Sequence, residues 1–107
     1  MYDNLKADLV SCSVIPLAEY EWATRPVGDF GTFQKDFPLY DNGDDYHQAE
    51  IIEGSVDLYT QGPKPETYTA VEKILDDHCC GAWTINYEGV DPDTKMLHRE
   101  YVFQTEE

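Results

Sequence analysis

Residues 50–80, EIIEGSVDLYTQGPKPETYTAVEKILDDHCC, contain the two most regular hydrophobic patterns of the chain, one directly after the other. In residues 50–61 apolar and polar side chains alternate, which predicts a strand with one buried face and one wet face. The alternating apolar positions are Ile52, Val56 and Leu58. In residues 65–80 apolar side chains recur every three or four positions, which predicts a helix that buries one stripe. This stretch therefore predicts a strand followed by a helix that packs against a sheet.

Outside this unit the sequence predicts one more helix and three more strands. The predicted helix covers residues 3–12, and the predicted strands cover residues 32–40, 82–87 and 96–104. The last two strands are joined by EGVDPDTK, which is rich in turn-forming residues, so they form a hairpin. The order predicts a single α+β domain over residues 1–107, in which two helices pack on one face of an antiparallel sheet of about four strands.

Two details of this prediction concern the segment before the central strand. Residues 16–31 contain Pro26, Gly28 and Gly31 and are predicted to be a connector, although an aromatic one that packs on the domain. Pro38 lacks a backbone donor, so the strand at 32–40 is predicted either to lie at an edge of the sheet or to end in a bulge.

The charge of the chain excludes some classes of partner. The 107 residues include 22 Asp and Glu but only 7 Lys and Arg, for a net charge of −15. Proteins bind nucleic-acid backbones and anionic membranes by neutralising phosphates with cations, so we expect neither kind of binding. The acidity has two open interpretations, a solvated surface that resists aggregation or a surface that meets a basic partner or keeps DNA from sticking.

The sequence His78-Cys79-Cys80-Gly81 suggests reactive chemistry, but its context favours a helix end. A zinc site needs about four ligands, usually with spaced cysteine pairs, and no second pair is present. Two acidic residues precede the thiols, which would raise the pKa of a nucleophilic cysteine instead of lowering it. We predict that Cys79 is buried and that Gly81 takes the left-handed conformation that ends the helix.

Other catalytic and metal motifs are missing from the sequence. An EF-hand loop that began at Asp41 would need an oxygen ligand at position 43 and a glutamate at position 52, where the chain has Gly43 and Ile52. No GxSxG, P-loop, GxGxxG or HExxH sequence occurs. We therefore predict no catalytic residues, no metal and no cofactor. The early apolar run, residues 9–18, contains a proline and follows no basic region, so neither a signal peptide nor a membrane span is expected.

Three stretches together resemble a phage family. Residues 16–37, PLAEYEWATRPVGDFGTFQKDF, are similar to its lead into a first strand. AEIIEGSVDLYTQG followed by ETYTAVEKILDDH is similar to its central strand–helix unit, and AWTINY through MLHREYVFQTEE to its closing hairpin. The chain thus resembles, over about residues 5–105, the tail-terminator or tail-completion proteins of long-tailed bacteriophages, the minor tail protein U-like group.

The resemblance implies an assembly role and an α+β fold. Such proteins form a ring, usually of six copies, that caps the tail tube, stops its polymerisation and joins tail to head. It implies contacts with tail-tube and head-completion proteins, and a location in the host cytoplasm during assembly and in the virion tail afterwards. On this hypothesis the polar segment at residues 41–47 is a candidate docking loop. Its residues are Asp41, Asn42, Gly43, Asp44, Asp45, Tyr46 and His47.

A second function stays open at this stage. A small acidic protein can imitate DNA phosphates and inhibit a DNA-binding protein, and the net charge of −15 is compatible with that role. The two functions differ in assembly state, because a terminator forms a ring and a mimic need not.

Overall fold

The structure is a computed structural model that describes residues 2–39 and 51–106, residues 37–39 by their backbone alone. The docking loop predicted at residues 41–47 lies outside the described residues. The elements, in chain order, are α1 (Tyr2–Val10), β1 (Leu17–Glu19), β2 (Phe30–Leu39), β3 (Ile51–Thr60), α2 (Pro65–Cys79), β4 (Trp83–Val90) and β5 (Leu97–Glu106). This order confirms the α+β class and the positions of both predicted helices.

The described strands form one sheet in the order β1-β2-β3-β5-β4. β1 runs parallel to β2, and every other neighbouring pair is antiparallel. The prediction of an antiparallel sheet of about four strands is therefore confirmed only in part, because β2 to β5 are antiparallel but a fifth described strand, which is parallel to β2, makes the sheet mixed. The additional strand is β1, which lies in the segment predicted to be a connector. Its three residues are too few to produce an alternating pattern.

β2 shows how the extra strand changes the edge of the sheet. The prediction that it lies at an edge is wrong for its first residues, since Leu17 to Glu19 pair with Gly31 to Phe33. The alternative, a bulge near Pro38, is confirmed, because the register with β3 shifts between Lys35 and Pro38. A proline is tolerated there because the bulge removes the need for a ladder hydrogen bond.

The hydrophobic core lies between the two helices and one face of the sheet. In the register, Phe33 of β2, Val56 of β3 and Tyr101 of β5 stand side by side on that face. All three are fully buried, as are Leu5 and Leu9 of α1 and Val71 and Leu75 of α2. None of the described helices is long and apolar enough to cross a membrane.

Gly54 is required where β3 passes under an aromatic ring. A Cβ at this position would collide with the carbonyl oxygen of Gln34 on β2 and with the ring of Phe103 on β5. The glycine therefore leaves room for the tip of the Phe103 ring, a side chain that is 1% exposed.

A candidate interaction surface on the open face of the sheet

The face of the sheet opposite α1 and α2 is here called the open face, because no described helix packs on it. Residues that alternate with the core positions lie on this face. On β2 and β3 they include Phe30, Thr32, Asp57 and Tyr59, and on β5 they include His98 and Glu100. The open face is therefore defined by register among strands that are far apart in sequence.

Four rings form a row across the open face, here called the aromatic row. The ring centroids of Phe30 and Tyr59 are 4.9 Å apart at an interplanar angle of 13°, and those of Tyr59 and His98 are 4.5 Å apart at 9°. Tyr87 of β4 completes the row, with its centroid 5.4 Å from that of His98. Stacked cross-strand rings of this kind stabilise a sheet and fix its register.

The ring of Tyr87 can join the aromatic row because the residue of β4 opposite His98 is a glycine. Gly89 is the register partner of His98, and the ring of Tyr87 occupies the space that a Gly89 side chain would take. The hydroxyl end of the tyrosine thus covers backbone that would otherwise be bare. Tyr87 stays 48% exposed, so it is the most accessible ring of the row on which a partner could stack.

A second row, of polar and acidic residues, runs beside the aromatic row and is here called the carboxylate row. The register places Thr32, Asp57, Glu100 and Tyr87 next to one another on β2, β3, β5 and β4. Asp57 Oδ1 lies 2.7 Å from His98 Nε2, and Asn86 Nδ2 donates to Glu100 Oε1 at 2.7 Å. The two carboxylates are direct cross-strand neighbours, an arrangement that like charges normally destabilise.

The surroundings of these carboxylates are electrostatically negative. Burial raises the pKa of Asp57, and the nearby charge of Glu100 adds to the rise, while the contact with His98 opposes it. Burial also raises the pKa of Tyr59, with further contributions from the charges of Asp57, Asp91 and Glu100. Burial is the main cause of both shifts, and the neighbouring carboxylates add to it.

The aromatic row borders a cleft of about 370 Å³, whose lining comes from the segment before β2, from β2 and β3, and from the turn between β4 and β5. Four rings line it, those of Tyr20, Trp22, Phe30 and Tyr59, together with three carboxylates, those of Glu21, Asp91 and Asp93. The indole of Trp22 is fixed by a 2.8 Å hydrogen bond from Nε1 to the carbonyl oxygen of Gly31. The guanidinium of Arg25 stands over the ring of Phe30, 5.1 Å from its centroid. The cleft therefore already holds one cation against an aromatic ring.

The segment His78-Cys79-Cys80-Gly81 ends a helix, as the sequence predicts. α2 ends at Cys79, which is 3% exposed, and Cys80 and Gly81 follow with φ of 50° and 79°. Burial raises the pKa of the Cys79 thiol to about 11, and the adjacent Cys80 contributes. A thiol with that pKa stays protonated near neutral pH and is a poor nucleophile.

His78 also has a structural role. Its Nε2 lies 2.6 Å from Asp8 Oδ2 on α1, and its carbonyl oxygen accepts a 2.8 Å hydrogen bond from Thr105 Oγ1. The residue therefore connects the end of α2 to the other helix and to β5. A cavity of about 440 Å³ lies beside it, lined in part by His78 and Cys80.

A cluster of ion pairs and ring contacts between α2 and the sheet is centred on Arg99. Its guanidinium stands 3.7 Å from the ring centroid of Tyr68 on α2 and lies 2.6 Å from Glu88 on β4 and 3.4 Å from Glu72 on α2. Glu72 also accepts a 2.6 Å hydrogen bond from the Tyr101 hydroxyl. These contacts hold α2 against the sheet with an arginine stacked on a tyrosine between two carboxylates.

Comparison of the chain with known proteins finds no match to a family model and none to a curated protein. Within residues 2–39 and 51–106, no group of three or more His, Cys, Asp and Glu side chains is placed to hold a metal ion.

The sequence prediction placed its candidate site in residues 41–47, and it missed the open-face rows. One signal was present, because the alternation that puts Asp57 on the wet face of β3 also puts Tyr59 there. The partners of Tyr59 come from β2, β4 and β5, and only the register brings them together.

Proposed function

We propose that this chain is a structural protein of a long-tailed phage or prophage, which caps the tail tube as a ring, ends its polymerisation and joins the tail to the head. The resemblance of residues 5–105 to tail-terminator proteins supports this function, and the α+β fold is compatible with it. The observation that carries the proposal is the asymmetry of the sheet, with helices on one face, an open face on the other and an outer strand, β4, whose outer edge pairs with no described strand.

The outer strand, β4, has the properties of an assembly edge. Among the described strands only β5 pairs with it, so the backbone donors and acceptors on its other side face outward. Ile85 is 44% exposed and Val90 is 64% exposed, and neither lysine nor proline occurs along the strand. Exposed edges of this kind can accept another strand or pack against a neighbouring subunit.

The distribution of charge is compatible with a ring whose lumen does not retain DNA. Lys6, Lys64, Lys73 and Arg99 each lie within 4 Å of a carboxylate of the same chain. Much of the basic charge is thus neutralised internally, while the net charge remains −15. A ring with an acidic lumen would repel the DNA backbone and would not retain it.

The test combines this chain with the tail-tube subunit from the same genome. Native mass spectrometry and negative-stain microscopy should show closed rings, alone or at tube ends, and adding the chain should stop tube growth. A chain that stays monomeric at high concentration with tube subunits present, and that leaves the tube lengths unchanged, contradicts the proposal. Since some ring proteins assemble only on their tube, the mixture and not the isolated chain decides the test.

The alternative function, a DNA mimic, is favoured by the adjacent carboxylates Asp57 and Glu100 on the open face. It predicts a monomer that displaces double-stranded DNA from a basic DNA-binding protein at low salt. Failure to displace DNA, together with ring formation, separates the two functions.

A further inference from the structure

We infer that the open face binds an arginine-bearing segment of a protein partner, with a guanidinium stacked on Tyr87 and paired with Glu100. This inference goes beyond the proposed function, since it requires neither a ring nor a tail tube.

The Arg99 cluster shows how this chain binds a guanidinium. There an arginine stacks on a tyrosine ring at 3.7 Å and pairs with carboxylates from two neighbouring elements. Arg25 repeats the stacking on Phe30 at the edge of the open face. Arginine is suited to both contacts because its planar group stacks on rings and forms forked hydrogen bonds to carboxylates.

At Tyr87 and Glu100 the open face presents the same groups, and no described arginine stacks on that ring or pairs with that carboxylate. Tyr87 is directly opposite Glu100 in the register, and Asp57 follows on the next strand. The ring of Tyr87 is 48% exposed, so a planar cation can reach it. The ring of Tyr87 lies in the aromatic row, whereas Glu100 lies in the carboxylate row. The two rows are about 7 Å apart, because residues two positions apart on a strand are separated by twice the rise of 3.2–3.4 Å. An arginine side chain spans that distance.

Charge complementarity decides the kind of partner. Asp57, Glu100 and the cleft carboxylates Glu21, Asp91 and Asp93 give this face a negative charge, with Arg25 at its edge. A second copy of the chain would bring the same carboxylates face to face, and a nucleic acid would bring phosphates, so both would be repelled. A basic segment is attracted, and the exposed ring of the aromatic row favours arginine over lysine, because a planar guanidinium can stack on it.

The test measures the binding of two peptides, hexa-arginine and hexa-lysine, to the full chain by calorimetry, with NMR of the aromatic resonances. Hexa-arginine should bind about tenfold more tightly than hexa-lysine and should shift the Tyr87 and Tyr59 signals. Tyr87→Leu should remove this preference, and Tyr87→Phe should keep it because the ring remains.

Glu100→Gln has a matched control on the other side of the molecule. Glu66→Gln removes the same charge from an exposed position in the first turn of α2. We expect Glu100→Gln to weaken hexa-arginine binding about fivefold to tenfold and Glu66→Gln to weaken it less than twofold. Circular dichroism and thermal melts verify that each variant is folded.

Three results would overturn the inference. Equal affinities for both peptides, or equal losses in Glu100→Gln and Glu66→Gln, would mean nonspecific attraction to an acidic chain. Self-association that blocks the open face and excludes the peptides would assign the face to a second copy. Failure of ring formation would leave the inference standing, whereas failure of peptide binding would leave the proposed ring standing, so the two proposals are tested separately.

Discussion

The two adjacent cysteines provide the sharpest test of a structural against a reactive role. Cys79 is 3% exposed in the core, whereas Cys80 is exposed and has φ 50° and ψ 39°. Replacing Cys79 by alanine removes one buried sulfur and should lower the free energy of unfolding by about 1–2 kcal/mol. Cys80→Gly should raise it by roughly 0.5–1 kcal/mol, because glycine adopts the left-handed conformation without the steric cost of a side chain. Cys80→Ala, which keeps that cost, is the matched control and should change stability by less than about 0.5 kcal/mol.

Two measurements test this reasoning. Urea denaturation gives the order of stability, with Cys80→Gly above the parent chain and Cys79→Ala below it. Alkylation with iodoacetamide at pH 8, followed in the Cys80→Ala chain by tandem mass spectrometry, reports the reactivity of Cys79. With a pKa of about 11 only about one Cys79 thiol in a thousand is ionised at pH 8, so modification should be far slower in the native chain than in urea.

The reasoning is refuted by either of two results. One is a Cys79 that reacts as fast in the native chain as in urea. The other is a folded Cys79→Ala or Cys80→Ala chain that no longer assembles.

The raised pKa of Cys79 also has a linked effect on stability. The unfolded chain releases the thiol proton near the ordinary pKa of 9.0, and the native chain keeps it up to about pH 11. The contribution of Cys79 to stability is therefore complete below pH 9 and is lost as the pH rises through about 11.

Three further predictions concern packing, an ion network and pH. Gly54→Ala should destabilise the chain by about 1–3 kcal/mol in urea denaturation, because the new methyl collides with the Phe103 ring; an unchanged midpoint would contradict the close packing. Arg99→Met should lower the free energy of unfolding by about 1–2 kcal/mol, since it leaves the partly buried Glu72 and the more exposed Glu88 without their cation, and an effect below about 0.5 kcal/mol would mean that the cluster is only a surface feature. Asp57 has a raised pKa, so its contribution to stability is complete below its unfolded pKa near 3.8 and is lost as the pH rises through the higher native value. Asp57→Asn can still accept the His98 hydrogen bond and should lose less stability than the parent chain between pH 4 and pH 7. Urea denaturation at these two pH values measures the loss, and an equal loss in both chains would contradict the assignment.

Local sequence patterns were sufficient for the elements whose signal lies within one segment. The alternation in residues 50–61 predicted β3, and the periodicity of residues 65–80 predicted α2, whose observed bounds are Pro65–Cys79. Gly81 has the positive φ that the end of that helix requires. These features depend on neighbours within about four positions, and such contacts are encoded directly in the order of the residues.

β1 shows where local patterns fail. Three residues between a proline and an aromatic loop carry no periodicity, and their strand conformation comes from parallel pairing with Gly31 to Phe33. The same pairing moves the start of β2 away from the edge of the sheet. Both the strand conformation of β1 and the interior position of the start of β2 therefore depend on pairing between residues more than ten positions apart.

The candidate site divides in the same way. By itself, the sequence determined the acidity of the chain, the structural character of the segment at Cys79 and the wet face of β3. Only the tertiary structure put Phe30, Tyr59, His98 and Tyr87 in one row, because these rings come from four strands and meet through register. A shift of one residue in any of those strands would turn its ring to the other face. The interaction surface is thus a consequence of long-range hydrogen-bond registration, which no short stretch of sequence contains.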